Sequence, residues 1–151
     1  MQANAAPIEI RRVIAAPVDD VFAAWVDPAS MREWFNPFGR AAMTADFREG
    51  GSFRLVMSDE HLSVEHTGVY RVIDPPNRLV FTWRSQYTGN RDTLVSIHLF
   101  PLGDDQTELV LTHELLPSDE VEPHTGGWTQ ILEQLDAYLR SSASRSHAPR
   151  N

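Results

Sequence analysis

Residues 68–83 read Gly68-Val-Tyr-Arg-Val-Ile-Asp-Pro-Pro-Asn-Arg-Leu-Val-Phe-Thr-Trp83, two apolar-rich runs separated by Asp74-Pro75-Pro76-Asn77. Prolines flanked by Asp and Asn in so short a gap predict a tight turn, and a gap of that length joins antiparallel strands, because a parallel crossover takes a dozen or more residues. The same period of two extends outward in both directions. It predicts strands over Arg40–Phe47, Ser52–Ser58, Leu62–Ile73, Leu79–Tyr87, Asp92–Phe100 and Thr107–Leu115. Turn signals fill the other gaps: Glu49-Gly50-Gly51, Asp59-Glu60, Gly89-Asn90 and Gly103-Asp104-Asp105. A meander is therefore expected.

On the N-terminal side, Ile8, Ile10, Arg12 and Ile14 alternate with Glu9, Arg11 and Val13, the pattern of a half-buried strand that Pro17 ends. Val18, Val21, Phe22 and Trp25 then recur at helical spacing, and a second short helix is expected over Pro28–Trp34. The loop Trp34-Phe35-Asn36-Pro37-Phe38-Gly39 follows. On the C-terminal side Trp128, Ile131, Leu132, Leu135, Tyr138 and Leu139 line one helical face, with Gln130, Glu133, Gln134 and Asp136 opposite. The predicted class is α+β: a curved antiparallel sheet wrapped around one long C-terminal helix, with two short helices after the first strand. A helix is narrower than a twisted sheet of seven strands, so a space should remain between them. The expected domain spans residues 8–140, with disordered tails at 1–7 and 141–151; the last segment, SSASRSHAPRN, has little apolar content to offset its ordering entropy.

Composition narrows the function. Acidic residues (21) exceed basic ones (13), for a net charge of -8, and the 151-residue chain can build a self-sufficient core. Cysteine is absent, which excludes disulfides, thiolate nucleophiles and Cys-ligated metal centres. Lysine is absent as well, which excludes Schiff-base chemistry and a phosphate-binding lysine. The acidic balance argues against nucleic acid. Val21–Val26 is too short to span a bilayer, and the first twenty residues hold no apolar stretch of signal-peptide length, so a cytoplasmic protein without membrane contact is expected.

Five segments in order resemble one family: Ala16-Pro-Val-Asp-Asp-Val-Phe-Ala-Ala-Trp25, Asp46-Phe-Arg-Glu-Gly-Gly-Ser-Phe53, Gly68 to Trp83 as quoted above, Thr107-Glu-Leu-Val-Leu-Thr-His113, and Gly127-Trp128 opening the last helix. The chain is similar to the START-like (SRPBCC) superfamily, in the branch named after the activator of heat-shock protein 90 ATPase. The resemblance covers about residues 8 to 140 and implies a helix-grip fold around an interior cavity. Relatives include lipid carriers, polyketide cyclases and co-chaperone domains, so the fold does not decide the chemistry. Pro123 and Gly126-Gly127 depart from a clean helix start. They predict a helix that begins late or enters through a loop, in a region that the resemblance places beside the cavity mouth.

Within that frame the expected cavity lining is Trp34, Phe38, Met57, Trp83, Trp128 and Leu132, with His66 and His113 as polar orienting groups. Each histidine is either a hydrogen-bonded core residue or a ligand contact and general acid/base. Trp34 and Phe38 are the stronger aromatic candidates because a Pro-Gly loop holds them. His113-Glu114-Leu115-Leu116-Pro117 starts like a zinc-protease motif, but proline occupies the fifth position and the segment is a predicted strand. No metal site and no cofactor are expected. Arg54 and Arg84 read as solvent-facing, with an anionic ligand as the alternative.

The leading expectation is a protein that binds an apolar or aromatic small molecule. An enzyme of cyclase or dehydratase type, using His66 or His113 in the same cavity, is the first alternative. A co-chaperone-like interaction module with a chaperone or other protein partner is the second. Either a monomer or a homodimer is compatible with these residues.

Overall fold

The structure is a computed structural model that describes residues 7–36 and 39–146. Ile8–Ile14 (β1) leads into two short helices, Val18–Trp25 (α1) and Pro28–Trp34 (α2). Six strands follow: Arg40–Ala45 (β2), Ser52–Ser58 (β3), Ser63–Asp74 (β4), Arg78–Trp83 (β5), Thr93–Pro101 (β6) and Thr107–Glu114 (β7). The helix Val121–Ser146 (α3) closes the described chain. The seven strands lie in the order β1-β7-β6-β5-β4-β3-β2, so β2 to β7 form the meander and β1 adds to its far edge. Every neighbouring pair is antiparallel. This is the expected α+β helix-grip arrangement. No helix among the described residues is long and apolar enough to cross a membrane.

Local chemistry explains the element ends. Pro17 precedes α1, and Asp19 and Asp20 in its first turn complement the positive end of the helix dipole. Asp27 caps α2 by accepting a hydrogen bond from the Ala29 amide at 3.1 Å, with Pro28 in the first helical turn. Gly68 sits where the sheet allows no side chain: an added Cβ would lie 2.0 Å from the Thr82 carbonyl oxygen and 2.3 Å from the Phe53 ring. Only glycine fits this approach of β4 to β3 and β5.

The concave face of the sheet and the buried face of α3 form the core. Leu79, Val95, Ile97, Leu109 and Leu111 from the strands meet Trp128, Ile131, Leu132, Leu135 and Leu139 from the helix. Asp136 departs from the sequence reading, which put it on the polar face. It is buried, accepts from Arg12 at 3.2 Å and from Arg140 at 3.1 Å, and so ties β1 to α3. The inward parity of Arg12 on β1 is what makes that burial tolerable, since a buried carboxylate needs a charged partner.

Two expectations about α3 need correction. The helix does not start late: it begins at Val121 and runs without interruption through Pro123, Gly126 and Gly127. Pro123 lies in the first turn, where an amide has no intrahelical partner to lose. The helix also continues through residues 141–146, which composition had assigned to a tail. Residues 147–151 and 1–6 lie outside the described part.

Candidate functional site

A cavity of about 380 Å³ opens between the N-terminal half of α3 and the adjoining strands. Met57 from β3, His66 from β4 and Trp83 from β5 form its sheet wall, and Pro123, His124, Gly127, Trp128 and Ile131 form its helix wall. Tyr87 and Glu120 complete the lining. Parity explains the sheet wall: Met57 pairs with Val64, two residues from His66 on the same side of β4. Tyr87 arrives differently. The expected strand to Tyr87 stops at Trp83, and a single 3-10 turn, Gln86–Thr88, follows. Ser85 caps that turn, its Oγ accepting from the Tyr87 amide at 3.1 Å while its own amide donates to Thr88 Oγ1 at 3.1 Å.

His66 is 7% exposed and stacks on Trp83, ring centroids 4.5 Å apart and planes tilted 34°. Burial pushes its pKa down to about 4; the Leu55 backbone works in the opposite direction and His124 adds a smaller depression. The ring is therefore neutral at physiological pH. His66 Nδ1 and Trp83 Nε1 are both buried with no hydrogen-bond partner.

His113 belongs to a different arrangement. Trp128 Nε1 donates to His113 Nδ1 at 2.9 Å. The neutral ring then carries its proton on Nε2, which donates to Thr93 Oγ1 at 2.7 Å, and the Thr93 hydroxyl donates to the Trp83 carbonyl at 2.6 Å. Burial, with a contribution from His124, holds the pKa of His113 down to about 3. Both its ring nitrogens are engaged, so His113 fixes the tilt of Trp128 in the cavity wall and has no ring nitrogen free for a ligand. At the rim, His124 Nδ1 lies 2.9 Å from the Glu120 carbonyl oxygen and 3.3 Å from its carboxylate.

Of the residues singled out in the sequence, Met57, His66, Trp83 and Trp128 thus meet at one cavity. Trp34 does not reach it: the residue is 1% exposed and packs edge-on against Trp25, 4.9 Å between ring centroids. Leu132 is 1% exposed within the core below the cavity. Phe38 lies outside the described residues. Tyr87, Glu120, His124 and Ile131 were missed. The i, i+4 spacing of Glu120, His124 and Trp128 was the available signal, and it needs an uninterrupted helix through Pro123 and Gly127 to be read as one face.

Behind Trp83 the interior is closed. A void of about 10 Å³ bordered by Trp25, Phe35, Phe53, Tyr70 and Trp83 is at the lower limit for a single water. On the outer face of the sheet an open groove carries Arg54, which pairs with Glu65, and Arg84, which pairs with Asp92 at 2.9 Å. Among the described residues no group of three His, Asp or Glu is placed to hold a metal ion.

Solved structures share this architecture. CalU16 from Micromonospora echinospora is 28% identical, with a TM-score of 0.70 over 92% of this chain and 79% of its own. Protein CV1439 from Chromobacterium violaceum is 25% identical, with a TM-score of 0.74 over 88% of this chain and 96% of its own. An HSP90 activator from Plasmodium falciparum, PFC0360w, has the same fold at 20% identity, a TM-score of 0.75, and 88% and 95% coverage. No curated protein sequence matched. The model of the family described as "Activator of Hsp90 ATPase homolog 1-like protein" matches residues 15–140, from the turn before α1 to the last packed turns of α3, and the chain belongs to that family.

Proposed function

We propose that the protein binds an apolar or aromatic small molecule in the cavity beside the N-terminal half of α3. The observation that carries this reading is a cavity of about 380 Å³ walled by the rings of His66, Trp83, Tyr87 and Trp128. A mostly apolar concavity with a few polar groups is the usual form of a small-molecule site.

The test is a thermal-shift screen against apolar and aromatic compounds, with native mass spectrometry of protein freshly purified from its own cells. A ligand present at 100 times its dissociation constant adds about 2.7 kcal/mol, or about 5 to 10 °C in Tm for a domain of this size. Absence of any shift across the screen would end the reading. Catalysis in the same cavity is the second reading, favoured by the neutral His66 ring. Unchanged turnover in His66→Gln would remove it. A chaperone is the second class of partner to test, by titration at tens of micromolar, since the family description names a chaperone activator.

A further inference from the structure

The two ends of the sheet are finished differently. At the β2 end, α2 packs against the strand, and Asn36 Nδ2 donates to the Arg40 carbonyl at 2.7 Å. At the other end β1 pairs with β7 alone, and among the described residues the backbone of residues 8–13 makes no bond on its outer side. A free row of N–H and C=O groups is a template for another strand. Ile10 shows that this edge is open on the concave side as well. It faces the core and is only partly buried, whereas Leu111, opposite it on β7, is 0% exposed.

Charge decides which strand fits. Glu9 and Arg11 stand on the outer face with their side chains more than half exposed, and Arg11 lies 3.6 Å from both Glu9 and Glu108, too far for a close hydrogen-bonded pair. Charges on an edge usually keep a second strand away. A second copy of β1 is the exception. Two antiparallel copies related by a two-fold axis set one residue opposite itself, and residues equally far on either side opposite each other. With Glu9, Arg11 or Arg12 on the axis, like charges face each other, which opposes pairing. Ile8, Val13 and Ile14 lie too near the strand ends to overlap more than a few residues. Only Ile10 remains. With Ile10 on the axis, Glu9 of each copy faces Arg11 of the other, and the partly open Ile10 meets its own copy. Arg12 falls opposite Ile8, which its aliphatic stem can cover while its guanidinium keeps Asp136. Pro7, which has no N–H, falls opposite Val13 and ends the ladder on each side.

We infer that two copies of this chain pair antiparallel through β1, with the two-fold axis at Ile10, and join their sheets into one. The cavity lining includes no β1 residue, so pairing and ligand binding are independent. Sedimentation equilibrium on the full chain, up to a few hundred micromolar, tests it together with Glu9→Arg and Arg11→Glu. Both positions are exposed and their ion pairs long, so the variants should fold, which circular dichroism checks. The expected result is a reversible dimer that each reversal weakens at least tenfold. Mixing the two variants should restore it, because one chain then carries arginine at both positions and the other glutamate, and every facing pair is again opposite in sign. A chain that stays monomeric throughout overturns the inference and leaves the edge to a strand from another protein. A dimer that neither reversal weakens overturns it by placing the contact elsewhere. Variants that pair no better mixed than apart overturn the register.

Discussion

Between Leu132 and Arg140 the helix α3 buries Leu132, Leu135, Asp136 and Leu139 to 6% exposure or less, whereas between Val121 and Ile131 it carries Pro123, Gly126 and Gly127 and borders a cavity of about 380 Å³. One helix therefore does two things. Its C-terminal half is clamped by apolar packing and by the Asp136 ion pairs to Arg12 and Arg140. Its N-terminal half has weak intrinsic helix propensity and is held through Trp128, whose indole is tied to His113 on β7. The difference teaches where a small domain can leave a cavity: beside the stretch whose backbone is held by a few specific bonds, with the tight packing kept at the other end.

Acid should break the comparison most strongly, because the buried histidines His66 and His113 both serve the cavity end. Their folded-state pKa values, about 4 and about 3, lie below the ordinary 6.5, so the unfolded chain takes up protons first. Stability is then full above about pH 6.5 and falls as the pH drops from there toward 4, levelling off near 3, by several kcal/mol in all. Urea denaturation across that range measures it, and His113→Gln should flatten the slope. An unchanged slope in the variant would mean that carboxylates elsewhere carry the acid sensitivity.

At the packed end, Leu135→Ala should cost about 3 kcal/mol, since the side chain is 0% exposed and leaves a cavity. Asp136→Asn should cost about 2 kcal/mol, the full penalty for a broken buried pair being reduced because Arg12 is one-third exposed. Both should leave ligand affinity unchanged once the variants are shown folded by circular dichroism.

The smallest effect has the opposite sign. Gly126→Ala and Gly127→Ala should each raise stability by about 0.5–1 kcal/mol, because a Cβ at either position meets nothing within 4 Å. Gly127 lines the cavity and Gly126 is not part of the lining, so only Gly127→Ala should also alter ligand affinity. Equal effects of the two on binding would argue that helix rigidity, rather than cavity shape, governs entry.

Much of this architecture is legible in the residues. The alternation from Arg40 to Leu115, with its turn signals, yields the six-strand meander, and the stripe from Trp128 to Leu139 yields the core face of α3. The lining of the candidate cavity was legible in part. Met57, His66, Trp83 and Trp128 follow from strand and helix parity, because side chains alternate across a strand regardless of what lies opposite. Trp34 went astray because it was read as held by the Pro-Gly loop, whereas it is the last residue of α2 and packs inward on Trp25. Asp136 was misread because only the position of Arg12, more than a hundred residues away, makes its burial tolerable. Tyr87, Glu120 and His124 needed the turn after β5 and the uninterrupted start of α3 to come together.

Periodicity is a local property, so the order and type of elements and the identity of most core residues could be read from the chain before any contact was known. Which of two buried histidines keeps an unpartnered nitrogen, and which spends both on neighbours, is not local. That choice depends on Thr93 and Trp128 converging on His113 from separate elements while Trp83 offers His66 only a ring face, and it was made when sheet and helix closed on each other.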